Sequence, residues 1–462
     1  MHQWVWARDI VAAIAVGVGL FFLLTKVLKA KKQLTLWISA ILGVASLVSF
    51  LSPDLAFNMA PTVFRLPMLA ASAGIAVVFY FGLMLVIILL LDLIWWLATR
   101  KRSVTGPDKR GLDAQAGQII GSATDDSPDS DGHDTGTQVI TADVSDADQD
   151  TDSPSTDHDQ PTHPTAELAP DIGDDTPALK PPRRARLHTV RLLTALALVL
   201  SLIITGYGFV KAQEPAVTQV NLTFPTLPSN FDGMTIALVA DLHIGSMTRD
   251  SFLPMVVDQV NAAHPDLIVL AGDIADGYVK DLGPKLAPLK NLSAPYGVVV
   301  TTGNHEFFSN AGEWMDYYSS LGLRVLENNA ILLQRGDQTV QILGINDRQG
   351  KGEWAPNLSL AVQRGGAPAN TFTVLVAHEP VQAEDDRGQA AKVGVSLVLS
   401  GHTHGGQLWP LGYLELLAQP ALSSVHEIDG VTSFTSRGVG TFRPPVRVGA
   451  DPEIPIITLH SG

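Results

Sequence analysis

The amino-terminal half of the chain contains long apolar runs that carry almost no charge. Four such runs span residues 10–25, 34–51, 68–97 and 192–210, and only Asp92 interrupts the third. Each approaches or exceeds the roughly 20 residues that a helix needs to cross a bilayer. Three runs so close together disfavour core helices of a soluble protein, and residues 1–9 lack the basic start of a cleaved signal peptide. The pattern predicts a transmembrane region with three helices at 1–100 and a fourth helix at 191–211.

Basic residues between the runs predict how these helices are oriented. They crowd the loop after the first run, the end of the third and the start of the fourth, and are Lys26, Lys29, Lys31, Lys32, Arg100, Lys101, Arg102, Arg183, Arg184, Arg186 and Arg191. Such residues are retained on the cytoplasmic side of a membrane. We therefore expect a multi-pass protein of the cell membrane whose amino terminus and carboxyl half are extracytoplasmic.

One segment holds most of the formal charge of −15. Residues 103–179 contain 18 Asp or Glu and 2 Lys or Arg, so the rest of the chain is nearly neutral. Few aliphatic side chains and no aromatic ones accompany these acids, which is too little apolar surface to offset the chain entropy lost on folding. We expect residues 101–190 to be a disordered, acidic cytoplasmic linker. The absence of cysteine excludes disulfides and thiolate metal sites.

Short apolar runs alternate with amphipathic stretches from residue 221 to residue 462, which is typical of a mixed α/β domain. Buried strands are predicted at 234–240, 267–271, 298–302, 372–377 and 395–400, and a helix at 251–263. Polar residues follow every predicted strand, namely Asp241, His243, Asp273, Asn304, His305, His378, His402 and His404. Open α/β sheets carry their sites at the carboxyl ends of strands. We therefore expect these side chains to lie close together.

Carboxylate, amide and imidazole groups at these positions indicate a metal site. Such donors suit Mn, Fe or Zn better than Ca or Mg alone. The candidate ligands suffice for two divalent metal ions, and are Asp241, His243, Asp273, Asn304, His378, His402 and His404. Asp273 is the candidate bridge, because Gly272 allows close backbone approach. Two ions about 3.5–4 Å apart can clamp a phosphoryl group, and His305 can act as general acid towards the leaving oxygen.

The order of these motifs resembles the calcineurin-like metallophosphoesterase superfamily. The motifs are D-x-H, GD, GNHE, H and GHTH, and they cover residues 234–459. The tail with Ser436-Arg437-Gly438 and Pro445-Val446-Arg447 is similar to the membrane-associated bacterial branch of the YkuE type. The resemblance implies a four-layer αββα sandwich with a dinuclear centre. It assigns Asp241, His243, Asp273 and His404 to one metal and Asp273, Asn304, His378 and His402 to the other, with His305 contacting substrate.

Several of these residues also have structural interpretations. Asp241 and His243 could be a helix cap and a partly buried histidine, and Asp276 could belong to a turn or support the metal ligands. Arg437 and Arg443 could touch a substrate phosphate or hold the carboxyl-terminal loops by ion pairs. Trp409 could stack on substrate or pack. Glu306 and Glu379 are expected to orient histidines rather than to bind metal.

These observations favour a membrane-anchored phosphoesterase that hydrolyses phosphomonoesters or phosphodiesters, including lipid or cell-envelope substrates. The expected partners are the phosphoester and the lipid bilayer. The alternative is a signalling or scaffold membrane protein whose phosphoesterase domain binds metal with little turnover. No nucleic acid is expected, because the chain shows no strongly basic face interleaved with aromatic residues.

Overall fold

The computed structural model describes residues 61–102 and 183–462. The first two predicted transmembrane runs and the acidic residues 103–179 lie outside these ranges. Of the described residues, 61–91 and 187–462 form one compact unit, and 92–102 with 183–186 belong to another. In the second unit, the described residues are the ends of two long helices, so the architecture below is that of the first unit.

Two long apolar helices precede the strands. Helix α1 is Pro61–Arg102 and helix α2 is Arg183–Lys211. Within them, Ser72–Trp95 and His188–Lys211 are long and apolar enough to cross a bilayer. They coincide with the third and fourth predicted spans. The described ends of the predicted linker, 101–102 and 183–190, are helical.

Helices α1 and α2 pack side by side in opposite directions. Phe81 and Leu85 of α1 meet Ala197 of α2, whereas Tyr80, earlier in α1, belongs to a cluster with Ile204, later in α2. Rising residue numbers in one helix therefore match falling numbers in the other. An antiparallel pair is the arrangement that two consecutive membrane spans would have.

Twelve strands, grouped in two sheets, occupy the carboxyl half of the described chain. The strands are β1 (Ala216–Phe224), β2 (Met234–Val239), β3 (Leu267–Ala271), β4 (Val298–Thr301), β5 (Arg324–Val325), β6 (Asn329–Arg335), β7 (Gln338–Gly344), β8 (Phe372–Val376), β9 (Leu397–Ser400), β10 (Ser424–Ile428), β11 (Val431–Thr435) and β12 (Glu453–Ser461). The first sheet has the order β1-β12-β2-β3-β4-β5 and the second β10-β11-β9-β8-β7-β6. Strand β1 begins before residue 221, the start predicted for this domain.

Six helices of this region connect the strands. They are α3 (Phe252–Ala262), α4 (Val279–Leu286), α5 (Asn304–Ser309), α6 (Ala311–Ser320), α7 (Leu358–Gly365) and α8 (Asp385–Lys392). Short 3₁₀ helices lie at Ser229–Phe231, Ala287–Asn291, Gly352–Trp354, Pro380–Ala383, His404–Gly406 and Leu411–Leu417. The predicted strands and the predicted helix match the observed bounds to within two residues.

The two sheets face each other across the main core. Ile236 and Leu238 point into this core, where they join Ile342 and Val374 of the second sheet. Neighbouring residues of β2 point the other way and pack beneath the helices that cover the first sheet. A third cluster joins α7 and α8 to the outer face of the second sheet. Strands covered on both faces are apolar throughout, and the four layers confirm the predicted αββα sandwich.

Candidate metal centre

All seven candidate ligands lie shortly after the carboxyl ends of strands. Asp241 and His243 follow β2, Asp273 follows β3, Asn304 follows β4, His378 follows β8, and His402 and His404 follow β9. Strands β2, β3 and β4 are mutually parallel, as are β8 and β9. Their carboxyl ends therefore meet at one rim of the sandwich, and the structure brings the ligands of both sheets together there.

The first group of donors contains Asp241, His243 and His404. The Nε2 atoms of His243 and His404 are 2.9 Å apart. Asp241 Oδ1 lies 3.8 Å from His404 Nε2, and Asp273 Oδ2 lies 3.7 Å from His243 Nε2. These four side chains converge on one point.

The second group contains Asp273, His378 and His402. Asp273 Oδ2 lies 3.2 Å from His378 Nε2. The Asn304 amide oxygen is 3.1 Å from His378 Nε2 and 3.1 Å from His402 Nδ1. One carboxylate oxygen of Asp273 thus faces both groups.

His305 stands beside the two groups. Its Nε2 atom lies 3.9 Å from Asp273 Oδ2, and its Nδ1 atom lies 2.7 Å from Asp276 Oδ1. The same Asp276 oxygen is 2.8 Å from His243 Nδ1. Asp276 therefore orients both imidazoles, which makes it more than the turn residue that its sequence context also allowed. His243, Asp273 and His305 form a third group that is compact enough to hold an ion.

Glu306 supports the backbone rather than a histidine. Its fully buried carboxylate accepts hydrogen bonds from the backbone N–H groups of Gly303, Asp273 and Ile274, at 2.8, 3.0 and 2.8 Å. It thereby ties the Asp273 loop to the Asn304 loop. We expected Glu306 to orient a histidine, but none of its hydrogen bonds within the described chain joins it to one.

The structure also shows which groups Glu379 and Arg437 contact. The Glu379 carboxylate accepts a hydrogen bond from Gln419 at 2.8 Å and lies 4.0 Å from His402 Nε2. The Arg437 guanidinium pairs with Glu453 at 2.6 Å. Arg437 therefore holds the carboxyl-terminal loops together. Arg443 lines the cavity at the centre.

Arg447 belongs to the tail motif, but no role at the site was predicted for it. Its guanidinium is fully buried. It donates to the carbonyl oxygens of His404 and Arg437 at 2.7 and 2.6 Å, and one of its nitrogens lies 3.0 Å from His404 Nδ1. A buried cation is tolerated when its N–H donors are paired. Here the acceptors are carbonyl oxygens of the loop that carries His404 and of the loop that carries Arg437. Arg447 therefore fixes the position of the His404 loop.

Left-handed backbone conformations recur among the candidate ligands. Asp241, His243, Asp273, His402 and His404 have φ angles of 59, 46, 52, 71 and 52°. Non-glycine residues rarely adopt positive φ, and such conformations cluster at functional sites where the surrounding structure enforces them. Each loop turns sharply after its strand, which directs the next side chain over the rim of the sandwich.

Glycine permits the closest approach between two of these loops. A Cβ atom on Gly303 would lie 2.2 Å from Asp273 Oδ1 and 2.3 Å from its backbone nitrogen. Gly272 has a φ of +82°, and its Cβ would lie 2.5 Å from the Gly303 nitrogen. Any larger residue at either position would push the Asp273 and Asn304 loops apart.

Three of the candidate ligands have the protonation state that metal binding requires, whereas at His378 burial is outweighed by Asp273, which holds the pKa of that imidazole well above its usual value. Burial, together with the charge on His378, lowers the pKa of His402 to about 4. Burial, with the Arg447 charge, also holds the pKa of His404 well below its usual value. Burial opposes ionisation of Asp273, but His378 and His305 outweigh it and hold the pKa of that carboxyl well below its usual range. At neutral pH the two imidazoles are neutral and the carboxylate is ionised, as metal binding requires.

Two further pKa shifts reflect the burial of carboxyl groups at the centre and the negative charge around His305. Burial raises the pKa of Asp241. Burial opposes the charge on His305, yet Asp273 and Asp276 raise its pKa to about 9. Buried carboxylates that lack enough cationic partners fit a site for divalent cations, which would supply the missing positive charge. The donor set therefore fits bound metal.

Known proteins resemble this chain in sequence. A family model described as calcineurin-like phosphoesterase matches residues 234–406. A zebrafish (Danio rerio) protein named transmembrane protein with metallophosphoesterase domain is 31% identical over 58% of this chain and 62% of its own length. The uncharacterized metallophosphoesterase YkuE of Bacillus subtilis is 30% identical over 55% of this chain and 90% of its own length.

A third relative, an uncharacterized metallophosphoesterase of Campylobacter jejuni, is 30% identical over 59% of this chain and 72% of its own length. The chain spans less than two thirds of the zebrafish protein but nine tenths of YkuE. The family model begins at the first residue of β2 and ends just after His404, so it covers β2 to β9 and all seven candidate ligands.

Proposed function

The chain belongs to the calcineurin-like phosphoesterase family, and from this premise we propose that it is a metal-dependent phosphoester hydrolase anchored in the cell membrane. The observation that carries the proposal is the convergence of seven donors from both sheets on two adjoining groups that share Asp273. A scaffold protein would have no need for His305 and Asp276 in addition to these donors. The proposed substrates are lipid or cell-envelope phosphomonoesters or phosphodiesters.

We assign the ligands of two divalent ions, Mn, Fe or Zn, from the two groups. Asp241, His243, Asp273 and His404 would hold one ion, and Asp273, Asn304, His378 and His402 would hold the other. When bound, such ions neutralise charge on a phosphoryl group and lower the pKa of water. Glu306 and Arg447 keep the ligand-bearing loops in place, so the donors are positioned before an ion or a substrate arrives.

His305 is the proposed general acid. Asp276 accepts a hydrogen bond from its Nδ1 atom at 2.7 Å, which directs Nε2 towards the centre. His305 also lines the cavity over the metal ligands. A proton held at Nε2 is thus within reach of the oxygen that leaves phosphorus, and Asp276 stabilises the protonated ring before the transfer.

Metal removal and return test the proposed activity. We expect the full-length protein in detergent, loaded with Mn, to hydrolyse p-nitrophenyl phosphate, bis(p-nitrophenyl) phosphate or both. Chelation should abolish hydrolysis, and Mn, Fe or Zn should restore it. The release of p-nitrophenol is the measurement. A protein that retains stoichiometric metal and hydrolyses neither compound would favour the scaffold alternative.

The proposed location places the carboxyl half outside the cytoplasm. Helix α2 begins with the basic residues Arg183, Arg184 and Arg186, which favour the cytoplasmic side, and ends at Lys211, immediately before the catalytic domain. Protease added to intact cells should therefore cleave the carboxyl half, as shown by blotting a carboxyl-terminal tag. A cytoplasmic protein serves as the control for cell integrity. Cleavage only after the cells are made permeable would contradict the orientation.

A further inference from the structure

An exposed apolar segment lies beside the metal centre. The 3₁₀ helix Leu411–Leu417 has the sequence LGYLELL. Its apolar side chains are exposed, and Leu417 has the largest exposed fraction, 86%. The remaining exposed members are Leu411, Tyr413, Leu414 and Leu416. Contiguous exposed apolar residues are uncommon on soluble proteins and mark binding surfaces.

The loop that leads into this segment contacts helix α1. The Tyr80 hydroxyl of α1 donates a hydrogen bond to the Trp409 carbonyl at 3.0 Å. Ala76 and Tyr80 are buried against Leu408 and Val446. These contacts fix the amino-terminal part of the α1 span against the loop that leads into Leu411–Leu417.

Helix α2 is held to the same side of the centre. The Arg447 backbone N–H donates to the Gly208 carbonyl at 3.0 Å. A Cβ atom on Gly208 would lie 2.6 Å from a Val446 methyl carbon, so glycine is needed for this approach. The chain thus packs both helices directly against the loops of the metal centre.

Beyond these contacts the helices expose apolar side chains to their surroundings. On α1 these begin at Val86 and include Ile87, Leu89, Leu90 and Leu91, and on α2 they include Leu192, Leu196, Val199, Leu202 and Ile203. The α1 span Ser72–Trp95 contains Ile75, Phe79 and Tyr80, and Tyr80 contacts the Trp409 carbonyl. A bilayer that covers this span would therefore reach the Leu411–Leu417 segment.

A cavity connects this apolar region with the metal centre. Its volume is about 490 Å³. One part of its wall consists of Ile75 and Phe79 from α1, with Leu411 from the exposed segment. Another part consists of the metal-centre residues His243, Asp273, Asn304 and His402. A molecule that fills this cavity meets hydrocarbon on one side and phosphate-binding chemistry on the other.

We propose that the substrate is a membrane phosphoester with a long hydrocarbon chain, which lies along Ile75, Phe79 and Leu411 while its phosphate reaches the metal centre. The Leu411–Leu417 segment is immersed in the lipid headgroup region and opens the cavity towards the bilayer. This inference rests on the proposed phosphoesterase function. The reaction is hydrolysis, in which the oxygen of water bonds to phosphorus, the P–O bond to the leaving group breaks, and the departing oxygen takes a proton.

Matched substrates that differ only in chain length test the inference. The Mn-loaded full-length protein is placed in dioleoylphosphatidylcholine nanodiscs, which leave both membrane faces open. Dioleoyl and dihexanoyl phosphatidic acid, and the corresponding pair of phosphatidylglycerols, are then compared as monoester and diester probes. Phosphorus NMR identifies the products. We expect kcat/KM for the long-chain member of at least one pair to exceed that of its short-chain partner by about tenfold or more.

A double substitution tests the segment itself. The double variant Leu414→Glu, Leu417→Glu should lower the ratio of long-chain to short-chain kcat/KM by about tenfold or more. Burial of two leucine side chains in lipid changes the equilibrium constant for immersing the segment by at least that factor, and glutamate removes this contribution. Leu414→Met with Leu417→Met should retain the ratio. Val425→Glu is a matched control, because Val425 is also exposed but lies on β10.

The outcomes separate this inference from the proposed function. Equal kcat/KM values for long and short chains in both pairs would overturn the inference and leave the phosphoesterase proposal standing. An unchanged ratio of long-chain to short-chain kcat/KM in the glutamate variant would have the same consequence. Failure of the metal-loaded protein to hydrolyse these lipids and the p-nitrophenyl esters would overturn both.

Discussion

Substitution of Asp273 by asparagine is expected to remove bound metal and to lower kcat/KM by at least about a thousandfold. The Oδ2 atom of Asp273 lies 3.7 Å from His243 Nε2 and 3.2 Å from His378 Nε2, so it faces both groups of donors. Asparagine has nearly the same shape but no negative charge. It therefore removes the charge shared by the two groups while the loop keeps its packing against Gly303.

Two quantities are measured for each variant. They are the metal content of the purified protein, by mass spectrometry, and the rate of hydrolysis of p-nitrophenyl esters. Asp258→Asn provides the matched control, because Asp258 is exposed on α3. A thermal melt shows whether each variant is folded. Full metal content and wild-type turnover in folded Asp273→Asn would contradict the assignment of Asp273 as the shared ligand.

Substitution of His305 by glutamine is expected to lower kcat by about 10²- to 10⁴-fold for an alkyl phosphoester and to leave metal content unchanged. An alkoxide leaving group needs a proton, whereas nitrophenolate departs without one. The loss should therefore be much smaller for a p-nitrophenyl ester than for an alkyl ester. This dependence on the leaving group distinguishes a proton donor from a residue that only positions substrate.

His264→Gln is the control, since His264 is exposed on the loop before β3. The alternative is that His305 binds metal, because His243, Asp273 and His305 form the third group of donors. If His305→Gln loses metal to the same extent as Asp273→Asn, His305 is a ligand and the general acid must be another group. Equal losses for alkyl and nitrophenyl esters would also exclude the proposed proton transfer.

The local pattern of residues contains most of the information about the sandwich. Strands such as LIVLA at Leu267–Ala271 are buried on both faces, so every position is apolar and the run stands out from its polar surroundings. The D-x-H, GD, GNHE and GHTH motifs follow such runs directly, which is why their convergence at one rim could be expected. Backbone connectivity alone places each motif at the end of its strand.

The roles of individual supporting residues could not be obtained in this way. Asp276 serves both His243 and His305 only because their loops lie side by side, and Arg447 reaches His404 across 43 positions of the chain. The position of Glu306 in its motif is compatible with a residue that orients a histidine. Its carboxylate nevertheless accepts hydrogen bonds from backbone N–H groups of a different loop. Contacts between distant segments have no periodicity or spacing that a sequence pattern records.

The chain by itself determined the apolar runs, the strand positions and the polar residue types that follow each strand, because these depend on the hydrophobicity and type of neighbouring residues. The αββα class came from the resemblance of the motifs to a known family. Tertiary structure alone decided that Asp276 contacts two histidines, that five donors adopt left-handed backbone, and that α1 forms one wall of the cavity. These properties depend on packing between segments far apart in the chain. Their physical origin is the close approach of loops at Gly303 and of helix α2 at Gly208, where only the folded chain defines the neighbours.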